Sequence, residues 1–424
     1  MSRKATVLKI FNDALTSVLP ANVIKNSVSL EEEHLHVLES SYDLKRYNNI
    51  YLCGSGKASF AMAKEMENIL KEKIVGGSVI SPIEDAKLEF ADHYVSTHPI
   101  PSEKSIEGAK KLLETLEETK KDDLILYCLS GGSSALLEYP IEPITLEDFA
   151  TTTKILLENG FSISEINSVR KHLSLVKGGK LAKKTEATVV VLVISDVIGD
   201  DLESIASAPL YFDSTTFLDV KKITASVWDK LPQSVREVIQ SGLDQKIEET
   251  PKEIKKNIYH HIISNNQKAL ENAAKSAEKF GLRSKIIQKS ISGDVTIASK
   301  EFIKLTSELK SGEVIIAGGE CTVEVFGSGV GGRNQHFALL ALKELEDLDI
   351  TLLSAGTDGI DGNSKDAGAI IDSKMKLEVE ILNLDIDLYL RNFNSNEFFK
   401  KLNALITTGY TGTNVMDIMI AYRG

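Results

Sequence analysis

The chain contains 424 residues, of which 42% are hydrophobic and 26% are charged, so it is long and apolar enough for two or three packed domains. Its formal net charge of −12 argues against nonspecific binding to nucleic acid or to an anionic membrane. No apolar run is long enough for a signal peptide or a membrane span, so we expect a cytoplasmic protein.

Strands of the buried type recur along the chain and are separated by helical stretches. In the first half they are NIYLCG at 49–54, DLILYCLS at 123–130 and TVVVLVISD at 188–196. Later ones lie at 314–319, at 350–356 and near 405. Two intervening helices begin with capping boxes, Thr145 with Asp148 and Ser162 with Glu165. This alternation predicts an α/β fold with a mostly parallel sheet in the N-terminal part.

A polar passage rich in lysine and glutamate, at 240–257, interrupts the alternation and is the best candidate for a linker. It divides the chain into a larger, Rossmann-like α/β domain at 1–240 and a second α/β domain at 258–424. The first stretch of about 40 residues is a segment that can pack on the other domain.

The cysteines and histidines give no metal signature. Cys53, Cys128 and Cys321 are odd in number and lack CxxC spacing, so we expect small buried hydrophobic side chains rather than disulfides or zinc ligands. The adjacent pair His260 and His261 lies in a segment predicted to be helical, where neighbouring side chains point apart.

The first loop at a strand end is CGSGKAS, in which Lys57 follows a glycine-rich turn that opens a helix. It is not a Walker A loop, because no glycine stands five positions before Gly56 and Ala58 replaces the magnesium-binding Ser or Thr. One interpretation is an ammonium group that binds phosphate or carboxylate, and the other is an exposed surface lysine.

The second loop, LSGGSSALL at 129–137, exposes a run of backbone N–H groups as strand turns into helix, which is typical of an anion-binding nest. The alternative is an ordinary tight turn in which Ser133 or Ser134 caps the helix. The GxSxG pattern of hydrolases is not matched.

The third loop, ISDVIGDD, places Asp196 at a strand tip with Asp200 and Asp201 close behind. Carboxylates on one short loop suit a magnesium ion or a general base, while Asp200 and Asp201 can equally be solvated turn residues.

Between these loops, four basic residues are concentrated in NSVRKHLSLVKGGK. For Lys171, Lys177 and Lys180 we expect a solvated basic helix face. Arg170, whose guanidinium could bind a carboxylate through two hydrogen bonds, is a candidate substrate ligand.

The stretch FGSGVGGRNQHFALLAL at 326–342 contains G-x-G-x-x-G, preceded by TVEVF, which predicts a strand, and followed by a predicted helix. A dinucleotide loop is one interpretation. Arg333 favours phosphoryl transfer, because it adds positive charge to the amides at the helix start. We expect Glu320 and Arg333 to belong to one hairpin-to-helix unit. The alternative to a role in phosphoryl transfer is that Arg333 only forms an ion pair with Glu320 and holds the hairpin.

A last glycine-rich loop, SAGTDGIDGNSKDAGA, carries Asp358, Asp361 and Asp366. It fails the EF-hand pattern, because the acidic ligand at the twelfth position and the flanking helices are missing. We expect this loop to suit phosphate or metal.

The following motifs, in chain order, carry a resemblance to a known family: CGSGKAS, LSGGSSALLE, NSVRKHLSLVKGGKLA, SDVIGDD, GGECTVEV, GGRNQHFALLAL, SAGTDGIDG and TGYTGTNVMD. Together they resemble the glycerate 2-kinase family with its C-terminal MOFRL-type domain, through essentially the whole chain. The resemblance implies two α/β domains with the active site in the cleft between them. It also implies phosphorylation of D-glycerate at its 2-hydroxyl, with ATP as co-substrate and Mg²⁺ as cofactor.

Carried over by motif, the family's active-site residues fall on Lys57, Asp196 and Arg333. Around them we assign substrate binding to Arg170, Ser130, Gly131 and Ser133. Nucleotide or phosphate binding is assigned to Gly54, Gly56, Gly132, Ser134, Glu320, Gly331, Asn334 and Asp358. Asp196 and Asp200 are the candidate metal ligands, and Asp196 has the role of a base as its alternative.

The chain differs from the usual sequence of the family at four positions. They are Ala208, Asp294, Tyr410 and Met416, where glycine, glutamate, proline and asparagine respectively are usual. Alternative functions are an NAD(P)H-dependent hydroxypyruvate reductase and a non-catalytic nucleotide-binding protein. The expected partners are small molecules, and a homodimer is one candidate assembly.

Overall fold

The computed structural model describes residues 2–345 and 349–424. The chain forms two compact units. The central unit is continuous and comprises Ile24–Ile263. The C-terminal unit is discontinuous, because it combines the residues up to Val23 with Ser264–Gly424.

Helices and strands alternate along most of the described chain. The helices are α1 (Arg3–Ser17), α2 (Pro20–Ser27), α3 (Ser59–Leu70), α4 (Glu103–Glu118), α5 (Ser133–Leu136), α6 (Leu146–Glu158), α7 (Ile163–Leu173), α8 (Phe217–Ile223), α9 (Gln233–Leu243), α10 (Asn266–Lys279), α11 (Val295–Thr306), α12 (Arg333–Glu344), α13 (Met375–Ile381), α14 (Ile386–Arg391) and α15 (Ser395–Lys401). The strands are β1 (Val28–Glu31), β2 (His34–Val37), β3 (Ser40–Asp43), β4 (Ile50–Ser55), β5 (Ile74–Gly76), β6 (Ser78–Ser81), β7 (Asp92–Val95), β8 (Leu124–Ser130), β9 (Thr188–Ile194), β10 (Ile258–Ser264), β11 (Arg283–Ile286), β12 (Ile291–Asp294), β13 (Glu313–Thr322), β14 (Ile350–Gly356), β15 (Gly368–Asp372), β16 (Leu405–Ile406) and β17 (Asp417–Arg423).

The central unit contains a small antiparallel sheet, β1-β2-β3, and a large sheet in the order β10-β9-β8-β4-β6-β7 with β5 beside β4. The pairings of β4 with β8, of β8 with β9 and of β6 with its neighbours are parallel. All seven residues of β8 are buried, as expected for a strand covered on both faces. The three strands predicted for this region and both capping boxes are therefore confirmed.

The order of the large sheet decides where its loops meet. Strands β9, β8 and β4 are consecutive neighbours and run in parallel, so their carboxyl ends lie at one edge of the sheet. The three loops that follow them contain Lys57, the Ser130–Ser134 turn and Asp196. Residues separated by well over a hundred positions in sequence are thereby brought together.

The passage at 240–257 belongs to the central unit, whose boundary with the C-terminal unit falls at Ser264. The helix predicted around His260 and His261 is wrong, because these residues lie in strand β10, next to β9. The isoleucines and the tyrosine of IYHHIIS favour an extended strand at the edge of the sheet over a helix.

The C-terminal unit contains a mixed sheet in the order β11-β13-β17-β14-β15-β16, with β12 beside β13. Strand β17 is antiparallel to both β13 and β14, whereas β11 and β12 run parallel to β13. Helix α1 packs on α10, and the Ser276 hydroxyl donates a hydrogen bond of 2.7 Å to Asp13 Oδ2. The beginning of the chain is thereby part of this unit.

The strand predicted for TVEVF is wrong beyond its first residue, because β13 ends at Thr322. Thr322 pairs with Asp294, the last residue of β12, while β17 begins opposite Gly319, so neither neighbouring strand extends far enough to pair with 323–326. Val325 and Phe326 are consequently 57% and 79% exposed in an irregular loop.

All three cysteines are buried and free, which confirms their expected role as small hydrophobic side chains. Among the described residues, no single helix is long and apolar enough to span a membrane, while α1 and α2, bent by 59° at their junction, meet that criterion only as a pair.

Candidate active site

In the central unit, the Lys57 loop is tied to the turn that follows β8. The Lys57 N–H donates a hydrogen bond of 2.9 Å to the Gly131 carbonyl, and the Ala58 N–H donates one of 3.0 Å to Ser130 Oγ. A Cβ atom at Gly56, whose φ is +131°, would lie 2.3 Å from Ser130 Oγ. Glycine is therefore required for the two loops to approach each other.

The glycine pair after β8 lets two charged side chains reach over the turn. A Cβ atom at Gly131 would lie 1.7 Å from Asp196 Oδ2, and one at Gly132 would lie 2.9 Å from Lys57 Cγ. The carboxylate of Asp196 and the side chain of Lys57 thus occupy the space that side chains at these two positions would take. The structure brings together the cation and the carboxylate predicted from sequence.

The serine hydroxyls of the same turn bond to the protein itself. Ser133 Oγ donates a hydrogen bond of 2.6 Å to Ser55 Oγ, which lies 2.7 Å from the Tyr127 hydroxyl. Ser134 Oγ lies 2.7 Å from Ser207 Oγ. Helix α5 has no side-chain cap, so the alternative in which Ser133 or Ser134 caps it is wrong. These hydroxyls hold the turn in place.

Arg170 lies in the last turn of α7 and contacts this turn from the other side. Its Nη2 donates a hydrogen bond of 2.9 Å to the Ser134 carbonyl, and its guanidinium carbon lies 5.6 Å from the centre of the Phe149 ring. The buried Nε has no hydrogen-bond partner in the part of the chain that the structure describes, and burial lowers the pKa of Arg170. The structure therefore shows a guanidinium that binds a backbone carbonyl.

The interpretation of the neighbouring lysines as a solvated helix face is wrong. Lys171 and Lys177 are buried and pair with carboxylates, Lys171 with Asp213 at 3.4 Å and Lys177 with Glu138 at 3.0 Å. Lys180 donates to the carbonyl of Ser174 at 2.5 Å. Burial lowers the pKa of Lys177 to about 8 and that of Lys180 to about 7. These three lysines therefore bind groups of the protein rather than facing solvent.

His98 is a neighbour of Lys57 that sequence reasoning missed. Its ring lies beside Gly132, where a Cβ atom would be 3.1 Å from His98 Cδ2. Burial and then the charge of Lys57 lower the pKa of His98 to about 4, so the imidazole is neutral at pH 7. The signal was available: His98 follows β7, a parallel strand of the same sheet, but that short strand was not predicted.

Asp196 lies half-buried two residues beyond the end of β9, and Asp200 adopts a left-handed conformation with φ of 56°. Within residues 2–345 and 349–424, no group of three or more His, Cys, Asp or Glu side chains is arranged to hold a metal ion. The described residues therefore offer no metal site made of protein ligands alone.

In the C-terminal unit, Arg333 is the first residue of α12 and makes two ion pairs. Its Nε and Nη2 donate to the two carboxylate oxygens of Asp417 at 2.6 and 3.0 Å, and its Nη1 lies 2.7 Å from Glu320 Oε1. Burial acts to lower the pKa of Arg333, but these carboxylates raise it above its ordinary value. Burial raises the pKa of Glu320. Glu320 lies in β13, which pairs with β11, β12 and β17, and residues 323–332 form no strand, so the expected hairpin is wrong, although Glu320 and Arg333 do pair.

Two of the amides at the start of α12, where we expected phosphate contacts, are already occupied by a carboxylate of the protein. The N–H groups of Asn334 and Gln335 donate to the two carboxylate oxygens of Asp361 at 3.0 and 2.8 Å. Burial raises the pKa of Asp361 to about 7. Asp361 was noted in the sequence without a role, and its function here is to cap this helix.

The glycines of the G-x-G-x-x-G pattern serve packing within the unit. Cβ atoms at Gly327 and Gly329 would lie 2.4 and 2.6 Å from the carbonyl of Asn392, and one at Gly332 would lie 2.4 Å from Asp361. The close approaches that glycine permits are therefore made by the protein's own chain, which argues against a dinucleotide loop.

Two further predicted residues are engaged locally. The Asn334 side chain donates to Asp417 Oδ1 at 2.9 Å and accepts from Ser354 Oγ at 2.7 Å. Asp358 Oδ1 accepts from the Ile360 N–H at 3.1 Å. Asp417, which orients both Arg333 and Asn334, was part of a quoted motif but was given no role. Its signal was a carboxylate directly before the apolar strand IMIAY.

Comparison with known proteins defines the class of the chain. Residues 6–240 match a family model described as a domain of unknown function, DUF4147, and residues 313–417 match the MOFRL family. Among solved structures, a glycerate kinase from Thermotoga maritima superposes with a TM-score of 0.87 at 34% identity, covering 99% of both chains. A protein from Pyrococcus horikoshii superposes with a TM-score of 0.86 at 36% identity, covering 100% of this chain and 98% of that one.

Curated relatives cover the same length. The chain is 37% identical to a glycerate 2-kinase from Pyrococcus horikoshii, over 98% of this chain and 96% of the relative. It is 36% identical to a D-glycerate 2-kinase from Thermotoga maritima, over 99% and 98%. The chain therefore belongs to the glycerate 2-kinase family, and the resemblance found in its motifs is confirmed.

Proposed function

We propose that this protein transfers the γ-phosphoryl group of ATP to the 2-hydroxyl of D-glycerate, giving 2-phosphoglycerate and ADP. Membership of the family over the whole chain supports the reaction. The structural observation that carries the proposal is the meeting of Lys57 and Asp196 over the Gly131–Gly132 pair, at the edge where parallel sheets bind ligands.

In this proposal the substrate lies over the turn. Lys57 binds the carboxylate of glycerate, with the backbone of the Ser130–Ser133 turn beside it. Arg170 takes the supporting role of holding the turn through the Ser134 carbonyl. Asp196 accepts a hydrogen bond from the 2-hydroxyl, aligns its oxygen for attack and removes its proton as the new bond to phosphorus forms.

Arg333 offsets the charge of the transferring phosphoryl group in this proposal, and its two ion pairs have different functions. Asp417 is 1% exposed and keeps the guanidinium aligned. The Glu320 side chain is 42% exposed, and partly exposed ion pairs exchange readily. Phosphate oxygens can therefore replace Glu320 at Nη1 without disturbing the Asp417 pair.

We assign Mg²⁺ to the phosphates of ATP, where it supplies charge neutralisation. A magnesium ion bound through phosphates needs only one or two carboxylates from the protein, and this fits a chain whose described residues form no cluster of three ligands. Asp196 and Asp200 remain the candidates for that contact. The other glycines and serines assigned to phosphate binding stay predictions.

A coupled assay tests the proposed reaction. The pure protein is incubated with D-glycerate, ATP and Mg²⁺, and the product is offered to enolase with and without phosphoglycerate mutase. We expect enolase alone to consume the product. A product that requires the mutase would show phosphorylation at the 3-hydroxyl, and no consumption of ATP would refute the kinase proposal.

A further inference from the structure

A pocket of about 410 Å³ opens beside Arg333 within the C-terminal unit. Its walls come from the segment after β13, from the glycine loop before α12 and from the connection between α14 and α15. The residues that form these walls include Val323, Val325, Gly329, Gly331, Phe393 and Ser395. The proposed mechanism uses Arg333 but not the rest of this pocket.

The lining has a distinctive chemical character. Among the described residues that line it, Arg333 is the one ionic side chain and none is a carboxylate, although the chain contains 61 acidic residues. The Phe393 ring lies against the ring of His336, with 5.2 Å between centroids and an angle of 12° between planes. His336 is buried and burial lowers its pKa, so this stacked pair is a flat, neutral wall at pH 7.

A neutral aromatic pocket with one cation at its edge suits a ligand that is flat and apolar at one end and anionic at the other. Of the two proposed substrates, glycerate is a three-carbon acid with no apolar surface for this wall, whereas a nucleotide has both a base and phosphates. Base stacking on aromatic side chains contributes about 1–3 kcal/mol. Arg333 lies where phosphates attached to a base in the pocket can contact it.

We propose that this pocket binds the purine base and ribose of ATP against Phe393, with the phosphates directed toward Arg333. This inference rests on the proposed kinase function for the identity of the nucleotide. In this arrangement the ring of Phe393 covers one face of the base.

Phe393 is a suitable position for the test because its backbone is left-handed, with φ of 52°. Asparagine tolerates that conformation well, so Phe393→Asn removes the ring without adding backbone strain. Phe393→Tyr keeps the ring and serves as the conservative variant. Ile381→Asn is the matched control, since Ile381 is an apolar residue of the same unit, 73% exposed and outside the pocket.

The probe is ADP, titrated calorimetrically into each full-length protein, with inorganic tripolyphosphate as a ligand that lacks the base. We expect Phe393→Asn to weaken ADP binding and to raise the KM for ATP at least about tenfold. Tripolyphosphate affinity and the KM for D-glycerate should change less than about threefold, and Phe393→Tyr and Ile381→Asn should bind ADP like the parent protein.

The outcomes separate this inference from the kinase proposal. Unchanged ADP affinity in Phe393→Asn would overturn the base pocket even if the protein phosphorylates glycerate. An equal loss of ADP and tripolyphosphate affinity would also overturn it, because the ring would then act on the phosphate site. Selective loss of ADP binding in a protein that does not phosphorylate glycerate would support the pocket and refute the kinase.

Discussion

Asp417 holds Arg333 through two parallel hydrogen bonds, from Nε at 2.6 Å and from Nη2 at 3.0 Å, and the carboxylate itself is almost fully buried. Such a forked pair fixes the plane of the guanidinium as well as its position. Glu320 contacts the same guanidinium from a half-exposed position. We therefore expect the two carboxylates to contribute unequally to the stability of the C-terminal unit.

Asp417→Asn should lower the free energy of unfolding by about 2 kcal/mol, because the neutral amide can accept only one of the two hydrogen bonds from the Arg333 guanidinium. This figure is smaller than the full cost of breaking a buried ion pair, because Arg333 is partly exposed. Glu320→Gln is the matched control and should cost less than about 1 kcal/mol. Urea unfolding followed by circular dichroism measures both. Equal effects would contradict the distinction between the two pairs.

Three variants should each lower kcat at least about a hundredfold while the fold stays intact: Lys57→Met, Asp196→Asn and Arg333→Lys. The first two remove a charge that the proposal places at the substrate, and the third removes the paired hydrogen bonds of the guanidinium. Lys104→Met, at an exposed lysine of the central unit, is the control and should leave kcat unchanged. Steady-state kinetics and circular dichroism provide the measurement. Parent-like turnover in any of the three variants would remove that residue from the mechanism.

Gly131→Ala should displace Asp196, since the added Cβ atom would lie 1.7 Å from its carboxylate oxygen. We expect kcat to fall at least about tenfold. The free energy of unfolding should change little, because only the side chain of Asp196, and not the backbone, must move. Gly76→Ala is the control, because a Cβ atom there meets no atom within 4 Å. If the two alanine variants turn over equally fast, Asp196 does not need its position over the turn.

The pure protein should show no hydroxypyruvate-dependent oxidation of NADH or NADPH. The N–H groups of Asn334 and Gln335 are bound to Asp361, and Gly327 and Gly329 pack against Asn392, so these parts of the loop are engaged by the protein itself. The absorbance of NADH is followed with an authentic hydroxypyruvate reductase as the positive control. Oxidation by the pure protein at a comparable rate would restore the reductase as a candidate.

Glu249 should contribute to acid sensitivity. Burial acts to raise the pKa of Glu249, but hydrogen bonds from His172 and from the Phe217 N–H outweigh it and lower this pKa to about 2. Because the folded pKa lies below the ordinary value of 4.5, the stabilisation is present above about pH 4.5 and is lost as the pH falls toward 2. After allowance for its exposure to solvent, the contribution is about 1 kcal/mol.

Comparison of Glu249→Gln with the parent protein measures this contribution. The variant should unfold more readily in urea at pH 7, and the difference should shrink as the pH falls from about 4.5 toward 2. Glu248→Gln, at a neighbouring glutamate whose side chain is 81% exposed, is the control. A difference that persists unchanged to pH 3 would show that the charge of Glu249 is not the cause.

The sequence predicted most of the elements that depend on local pattern. Apolar runs identified β4, β8 and β9, and the spacing of Thr145 and Asp148 identified the start of α6. Because parallel neighbours end at one sheet edge, their loops could be expected to share a site. The glycine that is usual in the family at position 208 also has a local reason, because the φ of Ala208 is 53°, a conformation that glycine adopts without strain.

Features set by distant pairing could not be predicted. The alternation of TVEVF is typical of a strand, yet no neighbouring strand extends far enough to pair with it. The capture of the α12 amides by Asp361 depends on a loop that follows another strand, and the burial of Lys171 depends on Asp213, 42 residues away. Local patterns contain no information about such partners.

The discontinuity of the C-terminal unit has a consequence for the nascent chain. Helix α1 carries fully buried Ile10 and Phe11, but α10 and the strands on which it packs follow residue 263. As the ribosome releases the chain, Ile24–Ile263 can complete its own sheet while α1 still lacks its binding surface. Helix α1 is thus synthesised well before the surface that buries it, and until then its apolar face is available to chaperones.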